Sequence, residues 1–363
     1  MSDLTTITEL SHEFGTEQFV LGGGGNTSCK DKRTLWIKPS GTTLAGMSAD
    51  NFVAMDRGEL GRVTRMNPPA DVDEREAKVK DLMMKAVRLE SAGKRPSVES
   101  PLHDAFESAY VVHTHPTLVN GLTCAEHGGE ICGQLFPDAL WMPYEDPGYK
   151  LSVRVRDALQ RHRREHGAEP AMLLVANHGV FVGGDDPEQV RMAYGTLMDT
   201  LQDEYAVRNT STGLPVQDMP PVEEVTEMQN LLRRILGEDE ATFVCASGRF
   251  EPAEGPLTPD HMVYSRAFPF VGVPSVEAIE EFRGQRGYAP KVVVTPNAVY
   301  GVGAVEKGAR LALELAKDAA LVKQLASAFG GVRFMTDDAR RFIENWEVES
   351  YRKSVAENNN ETK

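Results

Sequence analysis

Positive charge is in short supply along this chain: 39 Lys and Arg stand against 54 Asp and Glu, a formal charge of −15. A field of that sign repels polyanions, which excludes nucleic acid and anionic membrane surfaces as expected partners. It does not exclude a small anionic ligand, because a nest of backbone N–H groups acts at contact range while diffuse charge is screened over roughly 8–10 Å. Cysteine is scarce as well. Cys29, Cys124, Cys132 and Cys245 are scattered, without a Cys-x-x-Cys pair, in a chain too long to depend on staples. They read as reduced thiols, neither disulfides nor a zinc cluster. Long apolar runs are missing too: no uninterrupted stretch reaches the about 18 residues of a membrane span, and Met1 to Ser11 holds no apolar run of signal-peptide length. The expected compartment is the cytoplasm.

What is present is an ordinary globular composition, 41% hydrophobic and 26% charged over 363 residues. That is enough apolar surface for a core, and more chain than a single domain of roughly 100–200 residues uses. A polar stretch rich in Pro, Ser, Thr and Gly follows Asn209 without periodicity, which divides the chain into a domain over 1–210, a linker over 211–222 and a C-terminal unit over 223–363. Apolar spacing near 3.6 predicts a helix over 74–92, a basic helix over 151–166 and helices from Pro187 to about Tyr205, near 223–236 and from Val305 to Phe329. Tyr110 to His115, Met172 to Val175, Val180 to Gly184 and Lys291 to Thr295 read as strands. The polar end, Glu357 to Lys363, is expected to fray. Leu174 to Val182 resembles Val293 to Gly301, and a predicted helix follows each, so the C-terminal unit reads as a degenerate echo in which Asn297 stands where His178 stands.

Chemistry concentrates in the first domain. His113 and His115 sit two apart in a strand, so their side chains leave the same face and can meet one ion. His178 stands at the Asn177-His178-Gly179 turn after another strand. Three neutral imidazoles suit Zn2+ with a position left open, and they also suit other first-row ions such as Mn2+ or Co2+. Glu99, between Ser97-Val98 and Ser100-Pro101, has the ordinary reading of a helix-cap partner; beside a tri-histidine site it is also the carboxylate that proton transfer next to a carbonyl requires. His103, four residues on, reads as a structural hydrogen-bond partner. Gly25-Asn26, Ser40-Gly41 and Ser97 offer backbone N–H groups, an amide and hydroxyls suited to a phosphate monoester, and Lys38 could add a compensating charge.

The ordered set Gly25-Asn26-Thr27-Ser28, Ser40-Gly41, Ser97-Val98-Glu99, Val111-Val112-His113-Thr114-His115 and Asn177-His178-Gly179-Val180 resembles the class II aldolase/adducin-head family over about 200 residues. Arg95 to His103 and the long second unit are similar to the aldolase part of rhamnulose-1-phosphate aldolase/alcohol dehydrogenase proteins. No Gly-x-Gly-x-x-Gly fingerprint follows a strand within these residues. The resemblance implies a three-layer α/β/α fold with a central, mostly antiparallel sheet, joined here to a C-terminal α/β extension. It implies zinc on His113, His115 and His178, Glu99 as general acid/base, and Gly25, Asn26, Ser40, Gly41 and Ser97 around a substrate phosphate. The implied reaction is cleavage of a (deoxy)ketose 1-phosphate to dihydroxyacetone phosphate and an aldehyde through a zinc-bound enediolate, in a homo-oligomer such as a tetramer. Relatives with the same histidines include sugar-phosphate 4-epimerases and sugar-acid phosphate decarboxylases, and adducin heads are non-catalytic interaction modules. This sequence departs from the fuculose-phosphate aldolases at Val98, where they carry a second serine. It also offers only Tyr144 and Tyr149 in the stretch of a family tyrosine that reaches in from a neighbouring subunit.

Overall fold

Branched and aromatic residues bounded by turn formers set the strands, and helices with one apolar face cover them. A computed structural model describes residues 3–346; the polar tail expected to fray lies outside that range. By compactness the chain divides into two units, one taking the residues up to Val119 with Gly128–Leu201, the other Asn120–His127 with the residues from Gln202. Each is described by itself.

The first unit begins with helix α1 (Asp3–Glu13), strands β1 (Asn26–Lys30), β2 (Thr34–Ile37) and β3 (Val53–Asp56), then helices α2 (Arg57–Arg65) and α3 (Val72–Ala86). It continues through α4 (Ser100–Ala105), β4 (Tyr110–Thr114), α5 (Thr117–Thr123), α6 (Gly128–Leu135) and β5 (Leu140–Met142). The last elements are α7 (Tyr149–His166), β6 (Met172–Val175), β7 (Gly179–Gly184) and α8 (Pro187–Val207). The strands form one seven-stranded sheet in the order β3-β2-β1-β4-β7-β6-β5. Only the β5–β6 pair is parallel, so the sheet is mostly antiparallel as expected.

Alternation along β4 decides what each face carries. Val111 joins Leu173, Val175 and Phe181 against Leu102, Phe106, Leu151, Val155 and Leu159, so α4 and α7 cover that face. On the other face Tyr194 of α8 stacks on Phe14, touches Phe19 edge-on and reaches Val112 O and Thr114 Oγ1 with its hydroxyl. Helices on both faces give the three layers. β4, β7 and all but the first residue of β6 are buried, which is why they read as near-continuous apolar runs. Tyr149, a candidate for the inter-subunit tyrosine, is instead buried among Leu35, Val53, Leu60 and Met83.

The expected helix over 74–92 stops at Ala86 because tertiary pairing takes over. Val87 bridges Met55 and Arg88 N donates to Ala54 O, so the chain leaves the helix to pair beside β3. The sequence reading passed over α2, whose two glycines weaken its propensity; Asp56 caps it by accepting from Glu59 N, and Leu60 and Val63 bury its inner face.

In the second unit the elements are α9 (Val222–Leu236), α10 (Glu238–Ala241), β8 (Phe243–Gly248), α11 (Pro259–Ser265) and β9 (Phe270–Val271). They are followed by α12 (Val276–Arg286), β10 (Val292–Val294), β11 (Ala298–Gly303), α13 (Glu306–Ala326) and α14 (Asp337–Asn345). Its four-stranded sheet has the order β8-β11-β10-β9. One face packs on α9 and α12 through Val293 and Tyr300, the other on α13 through Val294 and Val299. The four cysteines are free thiols, and burial pushes Cys29 up to about 12. Among the described residues no helix is long and apolar enough to cross a membrane.

Candidate metal centre

His113 leaves β4 on the face that packs against α4, and it is fully buried. Its Nδ1 donates to Val180 O at 2.8 Å, which fixes the tautomer and leaves the Nε2 lone pair free to ligate. The ring lies flat on Phe181, its cross-strand partner, with centroids 3.7 Å apart and an interplanar angle of 3°. No periodicity rule singles out Phe181 as part of the site; only the β4–β7 register does. His115 stands one residue beyond β4, with its Nε2 2.9 Å from His113 Nε2. His178 comes from the β6–β7 turn, where Asn177 takes φ 53°, a left-handed conformation that asparagine tolerates better than most side chains. The His178 Nε2 lies 3.2 Å from that of His113.

One ligand atom from each of the three histidines lies within 4.8 Å of the others, a cluster that could hold a metal ion. The donor set fits a divalent ion: three imidazoles, the central one oriented by a carbonyl. Burial pushes the His113 imidazole well below its usual range despite the attraction of Glu99, which keeps it unprotonated as ligation requires.

Glu99 occupies the N-cap position of α4, yet its side chain makes no cap bond. The carboxylate turns inward instead, with Oε2 3.6 Å from His113 Nε2 and Oε1 3.4 Å from His178 Nε2. Burial by itself would raise its pKa; His113, His178 and a hydrogen bond from Asn26 outweigh that and hold the group well below the usual carboxylate range.

Asn26 stands directly opposite His113 in the β1–β4 register. Its Nδ2 donates to Glu99 Oε2 at 2.6 Å and to Ser97 Oγ at 3.2 Å. Among the described residues its buried Oδ1 has no hydrogen-bond partner. Ser97 also accepts from Glu99 N, so Asn26 and Ser97 form a bracket around the carboxylate. The Ser40-Gly41 loop runs beside the 95–97 segment: Ser40 N donates to Arg95 O, Ser97 N donates to Lys38 O, and Pro39 bridges Pro96. Lys38 is buried, and its ammonium donates to Thr42 O at 2.6 Å and Gly23 O at 3.5 Å, tying together the two loops expected to face a phosphate.

Gly25 holds φ +61°, and a Cβ built there would lie 2.6 Å from His113 O. Gly25→Ala should therefore destabilise by more than the about 0.4–1 kcal/mol that a strain-free replacement of glycine gains, because strain and overlap fall together. We expect a lower denaturation midpoint and weaker ion binding in the same variant.

Behind the bracket, Ser28 Oγ lies 2.7 Å from His103 Nδ1, the structural role expected for that histidine. Burial lowers His103 from 6.5 to about 3. A histidine kept neutral in the fold contributes fully above its unfolded value of 6.5 and loses that contribution as pH falls towards 3. The difference in unfolding free energy between the wild type and His103→Asn should shrink by about 1.4 kcal/mol per pH unit below that point, as read by urea titration across pH 7 to about 5. A pH-independent difference would contradict a buried neutral ring.

The family model described as Class II Aldolase and Adducin N-terminal domain matches residues 5–204. A curated relative, the uncharacterized oxidoreductase YuxG of Bacillus subtilis (strain 168), is 21% identical over 410 residues; the alignment covers 95% of this chain and 57% of that protein. The chain thus spans 57% of the length of the curated relative it matches. Among solved structures, the N-terminal class II aldolase domain of a conserved protein from Thermoplasma acidophilum is 21% identical, covering 56% of this chain and 93% of its own, with a TM-score of 0.48. An L-fuculose 1-phosphate aldolase is 18% identical, covering 63% of this chain and 95% of its own, with a TM-score of 0.39.

Proposed function

We propose, from the premise that this chain belongs to the class II aldolase and adducin N-terminal domain family, that it is a divalent-metal aldolase cleaving a (deoxy)ketose 1-phosphate to dihydroxyacetone phosphate and an aldehyde. The observation that carries this reading is the convergence of three imidazole nitrogens and one buried carboxylate on a single point. His113, His115 and His178 would hold the ion, which is zinc on this reading. When bound, such an ion supplies Lewis-acid polarisation of a substrate carbonyl.

The chain's own residues would do the rest. Glu99 stands within reach of any group at the histidines and is held unprotonated, ready to take a proton there and return it to carbon. Asn26 keeps that carboxylate in place, and since its amide donor is committed, its free Oδ1 suits a substrate hydroxyl better than a phosphate oxygen. The grip on phosphate then falls on backbone N–H groups around Gly25 and Gly41 and on the hydroxyls of Ser40 and Ser97, since the Ser40 N–H is held by Arg95 O, with Lys38 bracing the loops. The protein is taken to work in the cytoplasm as a homo-oligomer.

The test is a product screen on purified, metal-analysed protein with a panel of ketose and deoxyketose 1-phosphates. Release of dihydroxyacetone phosphate is the expected result. Epimer interconversion or carbon dioxide release without it would replace the aldolase reading by an epimerase or decarboxylase on the same residues.

A further inference from the structure

The strand order of the second unit repeats part of the first. β4-β7-β6-β5 and β8-β11-β10-β9 share one pattern: the first pair antiparallel, the second antiparallel, the third parallel. Chain order agrees as well, since both series run strand, helix, strand, helix, strand, strand, helix, with α6 as an addition in the first unit. The closing helices α8 and α13 are both 21 residues long. α7 and α12 both end on a left-handed glycine, Gly167 and Gly287, with Pro170 and Pro290 three residues on. Gly184 and Gly303 each close the last strand where a Cβ would strike the start of the following helix.

The registers align the two frames residue by residue. Phe181 faces His113 as Tyr300 faces Ala246, and Val180 faces Leu174 as Val299 faces Val294. The likeness read from sequence therefore holds in the turn and second strand but slips by one in the first strand, because the second unit's turn is one residue shorter. Ala246 falls at the place of His113, Gly248 at that of His115 and Asn297 at that of His178.

What surrounds these positions has changed accordingly. A Cβ at Gly248 would overlap Gln217 O, so backbone stands where the His115 side chain would project. Asn297 Nδ2 donates to Glu224 Oε1 at 2.7 Å. Where β1 pairs with β4 in the first unit, α9 side chains meet the outer edge of β8: Gln229 donates to Val244 O at 2.9 Å and Arg233 to Thr242 O at 3.1 Å. Helical cover removes an open sheet edge, and with β1 gone its asparagine has no counterpart.

We propose that residues 243–326 are a second copy of the frame that carries the histidines, closed at its ligand positions, so that the chain holds one divalent ion and regains a second site when two imidazoles are restored. Asn297 is exposed, Ala246 is half-buried at the edge of the core cluster, and Glu224 offers a carboxylate beside Asn297. The inference rests on the three histidines being a metal centre, and stoichiometry separates the two claims. Zinc titration of the full chain should give one equivalent for the wild type, none for His113→Ala, two for A246H/N297H and one for H113A/A246H/N297H. An A246H/N297H chain with the wild-type circular dichroism spectrum that still takes one equivalent would overturn the repeat. So would a wild type that takes two equivalents and a His113→Ala variant that keeps one, a measurement that stands even if the double variant does not fold; one equivalent in both would count against the histidine centre instead. A wild type that takes none would sink the metal centre itself.

Discussion

His113→Ala should strip the protein of both its ion and its turnover. His113 is the hinge of the cluster: its Nε2 lies 2.9 Å from that of His115 and 3.2 Å from that of His178. Truncation leaves two nitrogens, opens a void against Phe181 and removes the side-chain donor to the Val180 carbonyl. The loss should exceed the about 10–100-fold cost of removing an outer partner of a ligand. Elemental analysis and product release, read on the same preparation, check it. Metal retained at wild-type stoichiometry would count against the assignment.

Glu99→Gln should separate ion binding from chemistry. The amide is nearly isosteric, and its oxygen can still accept from Asn26 Nδ2, so the bracket of Asn26 and Ser97 persists. What disappears is a group able to carry a proton. Turnover should fall by roughly 10²–10⁴ while metal content stays at the wild-type level. Because Glu99 is held below the usual carboxylate range, the wild type should lose activity only at acidic pH, and the variant should lack that limb. Turnover within a few-fold of wild type would move the proton carrier elsewhere.

Much of this site is legible in the sequence, for physical reasons. A His-x-His pair in a strand has one geometric outcome, and β4 delivers it. The Asn177-His178-Gly179 turn announced itself by residue types that relax backbone constraints. Other parts were out of reach. Glu99 as helix cap and Glu99 as inward carboxylate have the same sequence signature, and only the packing of α4 against β4 selects the second. Lys38 carries the charge a phosphate wants, yet two carbonyls hold it. The Asn120–His127 segment, embedded in the first half of the chain, clusters with the residues from Gln202, a grouping that no linker composition encodes. The echo in the C-terminal unit was visible as a nine-residue likeness, but its extent is written in pairing partners rather than in letters.

The pairing of Asn26 with His113 across β1 and β4 bears on how such a chain can change over time. Side chains alternate along a strand, so removing or adding one residue within either strand would send the asparagine or the imidazole to the opposite face. The Asp31–Arg33 connection lies at the far end of β1 and is free of that constraint. Length variation should therefore be accepted at that hairpin tip and purged from residues 26–30 and 110–114, whatever the substitutions elsewhere.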